Sequence, residues 1–281
     1  MLFVTVCSFF LLMYVIISYV GKSINIFSYD FLIRTKVLQY AFIRTFLYFV
    51  IGLSFILSKI RFPVFESLIT YGFDNRVGYV MRSAFWKARL KCMGQNVIIH
   101  TNVKIINPHN ISIMTGTHID SYTVLLAGEN DNKINAGSIY FKENKKFPGK
   151  VGELIIGKYC HIAPFVLIQS VGGVYIGDFS GIASGSKIYS ASHHYRNLQR
   201  EDNVVYKFTP FAPVEEQSII VGPVVFEGNN ALGLNSVVLP GVTIGKNSWV
   251  GVSSYVVEDI PPNSIAIGCP AKVIKRRNIK E

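Results

Sequence analysis

The chain has 281 residues, a formal net charge of +11 and half its residues hydrophobic, enough for one or two domains around a sizeable core. The basic balance favours anionic partners such as phosphate-bearing ligands or acidic lipid headgroups. Nucleic acid is disfavoured because no aromatic–basic recognition module is present.

Met1–Val20 carries no charged residue and is almost wholly Phe, Leu, Val, Ile, Met and Tyr, which suffices to cross a hydrocarbon core as a helix. The rival reading is a secretory signal. It lacks a basic residue ahead of the apolar run and a small-x-small cleavage site after it, where the chain reads Tyr19-Val20-Gly21-Lys22-Ser23. A second apolar stretch, Val37–Ile60, is interrupted by Arg44. It either spans with Arg44 snorkelling toward one interface or lies along the membrane surface. Lys22, Arg34 and Lys36 between the stretches prefer the cytoplasmic side, which argues against a simple hairpin with that loop outside. Residues 1–60 are thus expected to be a hydrophobic membrane anchor of one or two helices, holding the protein at the cytoplasmic face of the cell membrane.

Arg61-Phe62-Pro63 ends this segment, and residues 61–93 read as a connecting amphipathic helix. Asp74 or Asn75 can cap it, and Gly94 is its stop signal after about Met93. Val77, Val80, Met81, Ala84, Phe85 and Ala88 form its apolar stripe, with Arg82, Lys87, Arg89 and Lys91 as a basic flank. Such a helix either plugs the open end of the following domain or rests on acidic lipid headgroups, and the two roles are compatible.

Residues 94–257 have a different period. From Phe226 onward large apolar residues fall at Leu232, Val238, Ile244, Val250 and Val256, one every six residues, with Gly233, Gly245 and Gly251 one place after and Ser236, Ser248 and Ser254 four places after. The same frame holds at Ile156, Ile162 and Ile168 and at Ile176, Ile182 and Ile188. It is weaker at Ile113, Ile119 and Leu125 and at Ile99 and Ile105. A period of six is neither helical nor simple alternation. It describes one side of a triangular coil, a parallel β-helix whose aliphatic residues stack inward while small residues turn the corners. Two insertions interrupt the coils. Residues 128–153 are rich in Gly, Lys, Asn and Glu. Residues 193–217 open with His193 and His194 directly after Ser190-Ala191-Ser192; loops this long inside a compact repeat tend to be functional. The four cysteines, Cys7, Cys92, Cys160 and Cys269, form neither a C-x-x-C pair nor zinc-site spacing and read as reduced thiols of a cytosolic compartment.

Over about Gly94 to Ile274 the chain resembles the hexapeptide-repeat acyltransferase superfamily, in the branch that acetylates sugars and surface polysaccharides. The segments carrying the resemblance are Leu239-Pro240-Gly241-Val242-Thr243-Ile244-Gly245 and the run from Ile260 through Cys269-Pro270-Ala271-Lys272 to Ile274. The resemblance implies a mainly β fold, a left-handed parallel β-helix of hexapeptide repeats, here behind an α-helical membrane-anchoring N-terminal region. It implies a homotrimer with active sites between neighbouring β-helices, acetyl-CoA as donor, and a catalytic histidine at the base of the long loop. His193 falls where the family places its histidine, with His194 as the other candidate. Glu201, Asp202, Glu215, Glu216 or a backbone carbonyl would orient the ring. For the donor, Gly233, Gly251 and Ser253 correspond to the small residues beside the pantetheine arm. Lys272, Lys275 and Arg276, with Arg277, supply charge for the phosphates in a C-terminal tail, residues 258–281.

The chemistry agrees. Transfer from a thioester to a hydroxyl needs a base for the hydroxyl proton, and a neutral imidazole is suited to it. The thioester is already activated, so no covalent enzyme intermediate is required. The sequence departs from galactoside-type members at Ala231, where a tryptophan is common, and around Ala163-Pro164-Phe165 and Gly172-Gly173, which lack their polar acceptor-binding residues. The expected acceptor is a different carbohydrate or a glycolipid at the membrane. A zinc site of the kind other β-helix trimers carry is not expected, since the six histidines show no H-x-x-x-x-H pair. The remaining rivals are an amino-sugar N-acetyltransferase and a catalytically silent trimeric membrane scaffold.

Overall fold

The computed structural model describes residues 2–24, 26, 41–60, 63–129, 138–199, 201 and 203–278. The expectations that rest on Arg34, Lys36, Arg61 and Phe62, and on the side chain of Arg44, lie outside the described residues. Every apolar residue of the six-residue frame, from Ile99 to Val256, points into one core and is at most 8% exposed.

Three parallel sheets form the sides of the prism. The first face runs Cys92–Met93, Ile111–Ile113, Leu154–Ile156, Val174–Ile176, Val224–Phe226 and Thr243–Ile244. The second holds Ile98–Ile99, His118–Ile119, His161–Ile162, Gly181–Ile182, Ala231–Leu232 and Trp249–Val250, and then Ser264–Gly268 with its antiparallel partner Ala271–Arg276. The third holds Lys104–Ile106, Val124–Ala127, Leu167–Ser170, Lys187–Tyr189, Val237–Val238 and Tyr255–Val256. Equivalent residues stack in register, as in Ile119, Ile162, Ile182, Leu232 and Val250. Each such buried aliphatic contributes about 1.5–3 kcal/mol. The corner serines tie one rung to the next. Ser186 Oγ donates to the Gly233 carbonyl, Ser236 Oγ to Gly251 and Ser248 Oγ to Pro261, each at 2.8 Å. Buried hydroxyls of this kind are worth about 1 kcal/mol each when paired.

Among the described residues, four helices precede the coils: α1 (Leu2–Ser23), α2 (Ala41–Ile60), α3 (Pro63–Tyr71) and α4 (Arg76–Lys87). In α1 and α2, Gly21 faces the Tyr48 carbonyl and Gly52 the Ile17 carbonyl so closely that a Cβ would lie 1.8 and 2.1 Å from those oxygens. The two helices therefore run antiparallel. Among the described residues no helix is long and apolar enough to cross a membrane, so the expected transmembrane anchor is not supported. Leu47 and Ile51 of α2 are instead taken up by protein contacts with Ile26 and Ala84. The outer side of α1, with Phe10, Leu11, Leu12, Val15, Ile16 and Tyr19, is exposed.

Asn75 caps α4, its side chain accepting from Gly78 N–H at 2.9 Å. The helix stops at Lys87, short of Met93, because Lys91 N–H leaves the helical ladder for the Ile111 carbonyl at 3.0 Å and Cys92–Met93 already pairs with Ser112–Ile113. It plugs the first coil, with Phe85 and Trp86 in the same core as Ile99. Arg82, expected on a basic flank, is inside at 1% exposure. Its guanidinium donates to the carbonyls of Ile99 (2.9 Å), Phe73 (3.1 Å) and Ile69 (3.4 Å). Burial lowers its pKa, and Asp74 opposes that shift.

The two insertions meet. Ser218–Val221 pairs antiparallel with Ala191–His193 and parallel with Ser138–Phe141, making a fourth, three-stranded sheet on the corner between the third and first faces. The stretch after Phe141 runs forward along that corner. Asn144 Nδ2 donates to Thr243 Oγ1 at 2.9 Å, and Lys146 pairs with Glu227 at 2.7 Å.

Candidate active site

The long loop leaves the β-helix through a narrow neck. His193 lies opposite Ile219 in the antiparallel pair, and His194 N–H donates to the Ser218 carbonyl at 2.7 Å. His193 lines a cleft of about 470 Å³ together with Gln169, Ser192, Gln217, Ile219 and Val221. Its Nε2 lies 3.0 Å from Gln217 Oε1. Gln217 is only 3% exposed, and its amide nitrogen donates to the Ala212 carbonyl, which fixes which end of the amide faces the ring. In the neutral imidazole Nε2 is therefore the donor and Nδ1 carries the lone pair.

His194 is held in the opposite sense. Its Nδ1 lies 2.9 Å from the Arg196 carbonyl, closer than the 3.3 Å to Arg196 N–H, and its ring lies 4.5 Å from that of Tyr195. A proton on Nδ1 leaves Nε2 free. Of the acidic residues expected to orient the base, Asp202 lies outside the described residues, and Glu215 and Glu216 sit in a single turn, Val214–Glu216. The group that does hold His193 is the neutral amide of Gln217, missed because glutamine carries no charge signal. Its place at the last residue of the insertion, where the neck closes, was the available hint.

The small residues expected around the donor, Gly233, Gly251 and Ser253, lie on another corner, between the second and third faces. Gly233 packs against the next rung so tightly that a Cβ would lie 2.6 Å from the carbonyl carbon of Gly251, and a Cβ on Gly251 would meet Ile267 Cγ2 at 2.3 Å. Stacking alone therefore requires both glycines. Ser253 turns the same corner two residues on, in the left-handed region at φ +55°. Lys272 pairs with Glu258 at 3.1 Å, Arg276 Nη1 donates to the Pro262 carbonyl at 3.0 Å, and Lys275 stands opposite Ile265 in the antiparallel pair.

No protein-family model matches the chain. It is 30% identical over 190 residues, 68% of this chain and 84% of the relative, to a dTDP-4-amino-4,6-dideoxy-D-glucose acyltransferase of Escherichia coli. It is 32% identical over 155 residues, 51% of this chain and 74% of the relative, to WbbJ of Escherichia coli K12, which is named for O-acetyl transfer in lipopolysaccharide biosynthesis. Among solved structures, a variant of AntD, an N-acyltransferase from Bacillus cereus in complex with dTDP and coenzyme A, superposes with a TM-score of 0.55. The two are 25% identical, and the match covers 68% of this chain and 87% of that one. The chain belongs to the hexapeptide-repeat acyltransferase superfamily.

In this acyltransferase the corner bearing Gly233, Gly251 and Ser253 fits coenzyme A chemically. Exposed Leu234, Val252 and Ile267 give an apolar run along it, and the exposed cations Lys275 and Arg276 lie on the strand beside Ile265. The apolar run suits a pantetheine arm, and the cations, at the opposite end of the second face, suit phosphates. Within one chain, however, the third face separates this corner from His193, so the structure does not bring the expected base and donor residues together. The second face carries another polar group: His161 Nε2 lies 2.8 Å from Asp120 Oδ2, and His100 Nε2 lies 3.6 Å from Oδ1. His118, opposite His161, has its pKa lowered by desolvation and then by His100 and His161, against Asp120. Among the described residues no group of three or more His, Cys, Asp or Glu side chains is placed to hold a metal ion.

Proposed function

We propose that this acyltransferase moves an acetyl group from acetyl-CoA to a hydroxyl of a surface-polysaccharide or lipid-linked sugar precursor. It works as a homotrimer at the cytoplasmic face of the cell membrane. The observation that carries the reading is His193, lining the cleft at the loop's neck and fixed by Gln217 so that Nδ1 can take a proton. A sugar hydroxyl is a poor nucleophile until its proton leaves. His193 Nδ1 accepts that proton as the oxygen attacks the thioester carbonyl, and the imidazolium then returns it to the departing thiolate. Coenzyme A supplies the activated acyl group. Gln169 and Ser192 line the cleft with His193 and offer polar contacts to the acceptor.

Two specific observations support second readings. His194 has the more usual base arrangement, with Nδ1 at a backbone carbonyl and Nε2 free. The amino-sugar relatives support an amine acceptor, giving an amide in place of an ester. The separation of His193 from the Gly233–Gly251–Ser253 corner supports a site completed by a second copy. The exposed apolar side of α1 supports membrane contact.

The test uses acetyl-labelled coenzyme A and membranes containing wild-type protein or His193→Ala. The expected result is label in a glycolipid or sugar fraction, released by mild alkali as an ester is and an amide is not. Turnover should fall by roughly 10²–10⁴ in the variant. Near-normal turnover moves the base to His194, and alkali-resistant label moves the acceptor to an amine.

A further inference from the structure

A second cleft lies where the helices meet the β-helix. About 490 Å³ in volume, it is lined by Ser58 and Lys59 at the end of α2, Glu66 of α3, Arg89 just after α4, and Asn107 and His109 on the first coil. Its one carboxylate among the described residues, Glu66, already pairs with Arg89. The Arg89 guanidinium is held 4.5 Å over the Phe85 ring. Lys59 and His109 are exposed. Beside the cleft, α3 turns Val64, Leu68 and Tyr71 to one side at i, i+4 and i+7, exposed by 67%, 49% and 61%, and Ile60 precedes them at 64%. An apolar helical stripe next to a cationic hollow has the chemistry of an interfacial helix with a lipid phosphate at its edge.

We propose that this cleft holds the phosphate of a membrane lipid, with α3 lying along the bilayer surface. Its position gives the site a purpose. Asn107 Nδ2 donates to the Ala127 carbonyl at 3.0 Å and Asn110 Nδ2 to Gly128 at 2.8 Å, and Gly128 lines the His193 cleft. Both clefts thus lie on one corner, with His193 three rungs from Asn107, on the order of 14 Å at the usual strand spacing. A saccharide carried on that phosphate would run along the corner toward His193. This last step rests on the acetyl-transfer reading; phosphate binding by the cleft does not.

The experiment is flotation of the full-length protein with phosphatidylcholine vesicles, with and without phosphatidic acid. Wild-type protein should bind the phosphatidic acid vesicles at least about tenfold more tightly. Lys59→Ala with His109→Ala should lose that preference and keep weak binding to neutral vesicles through α3. Lys158→Ala, which removes an exposed charge on a different corner, should keep the preference, and Lys59→Arg with His109→Lys should restore it. No preference in wild type, or full preference in the double alanine variant, overturns the proposal. Displacement by inorganic phosphate at the concentration of the lipid phosphate overturns the lipid source. Coenzyme A binding, read on the same samples, reports separately on the acetyl-transfer reading, and its absence would leave the vesicle result standing.

Discussion

Cys160 illustrates how a corner residue takes its chemistry from the coil. It is 2% exposed, and its Sγ lies 3.4 Å from the Gly177 carbonyl. Burial, against smaller opposing backbone hydrogen bonds, pushes its pKa up to about 11. A thiol attacks as the thiolate, so at pH 8 Cys160 stays protonated and inert while exposed Cys92 and Cys269 are alkylated. Peptide mapping after iodoacetamide should find Cys160 modified only once the protein is unfolded; labelling of Cys160 in the native state at pH 8 would refute this. At this scale the sequence was a good guide to residues with one inward place, such as Ile182 or Val250, because a coil position allows a single environment. It was a poor guide to pairings across a neck. Gln217 holds His193 through geometry that no spacing along the chain encodes, and the nearby carboxylates drew attention only by their charge.

The element that closes the first coil depends on one buried cation. Arg82 enters from α4 and donates to the carbonyl of Ile99, on the first strand of the second face, and to those of Ile69 and Phe73 at and just after the end of α3. Arg82→Ala removes all three hydrogen bonds and empties a buried site, and should destabilise the protein by about 3 kcal/mol. Urea unfolding followed by tryptophan fluorescence measures this; an unchanged midpoint would mean that water replaces the guanidinium at no cost. The apolar stripe and Asn75 made α4 legible in the sequence, but periodicity could not tell a plug from a membrane-surface helix, since both bury the same stripe. The sheet formed by Ser138–Phe141, Ala191–His193 and Ser218–Val221 was not legible at all. Its strands are short, follow no six-residue frame, and find each other only because both insertions leave the same corner.

For the whole molecule, placing the proposed base His193 and the proposed donor residues apart on the prism predicts complementation between copies. His193→Ala alone should be nearly inactive, and Lys275→Glu with Arg276→Glu should bind coenzyme A poorly. If neighbouring copies build each site together, co-expressing the two variants should restore about a quarter of wild-type turnover. That is the share of head-to-tail interfaces in which one copy supplies an intact histidine and the next an intact donor corner. Turnover no higher than the sum of the separate variants would mean that one chain holds the entire site.

The joining of the two insertions also bears on how the protein is made. The early rungs can stack as they leave the ribosome, each needing only the rung before it. Ser138–Phe141 must wait until Ser218–Val221 has been synthesised, and the stretch after it until Glu227 and Thr243 have followed. A nascent chain halted ahead of Val221 would carry a well-stacked but chemically silent stub. Translation therefore finishes the scaffold's lower storeys before the neck that holds His193 can exist.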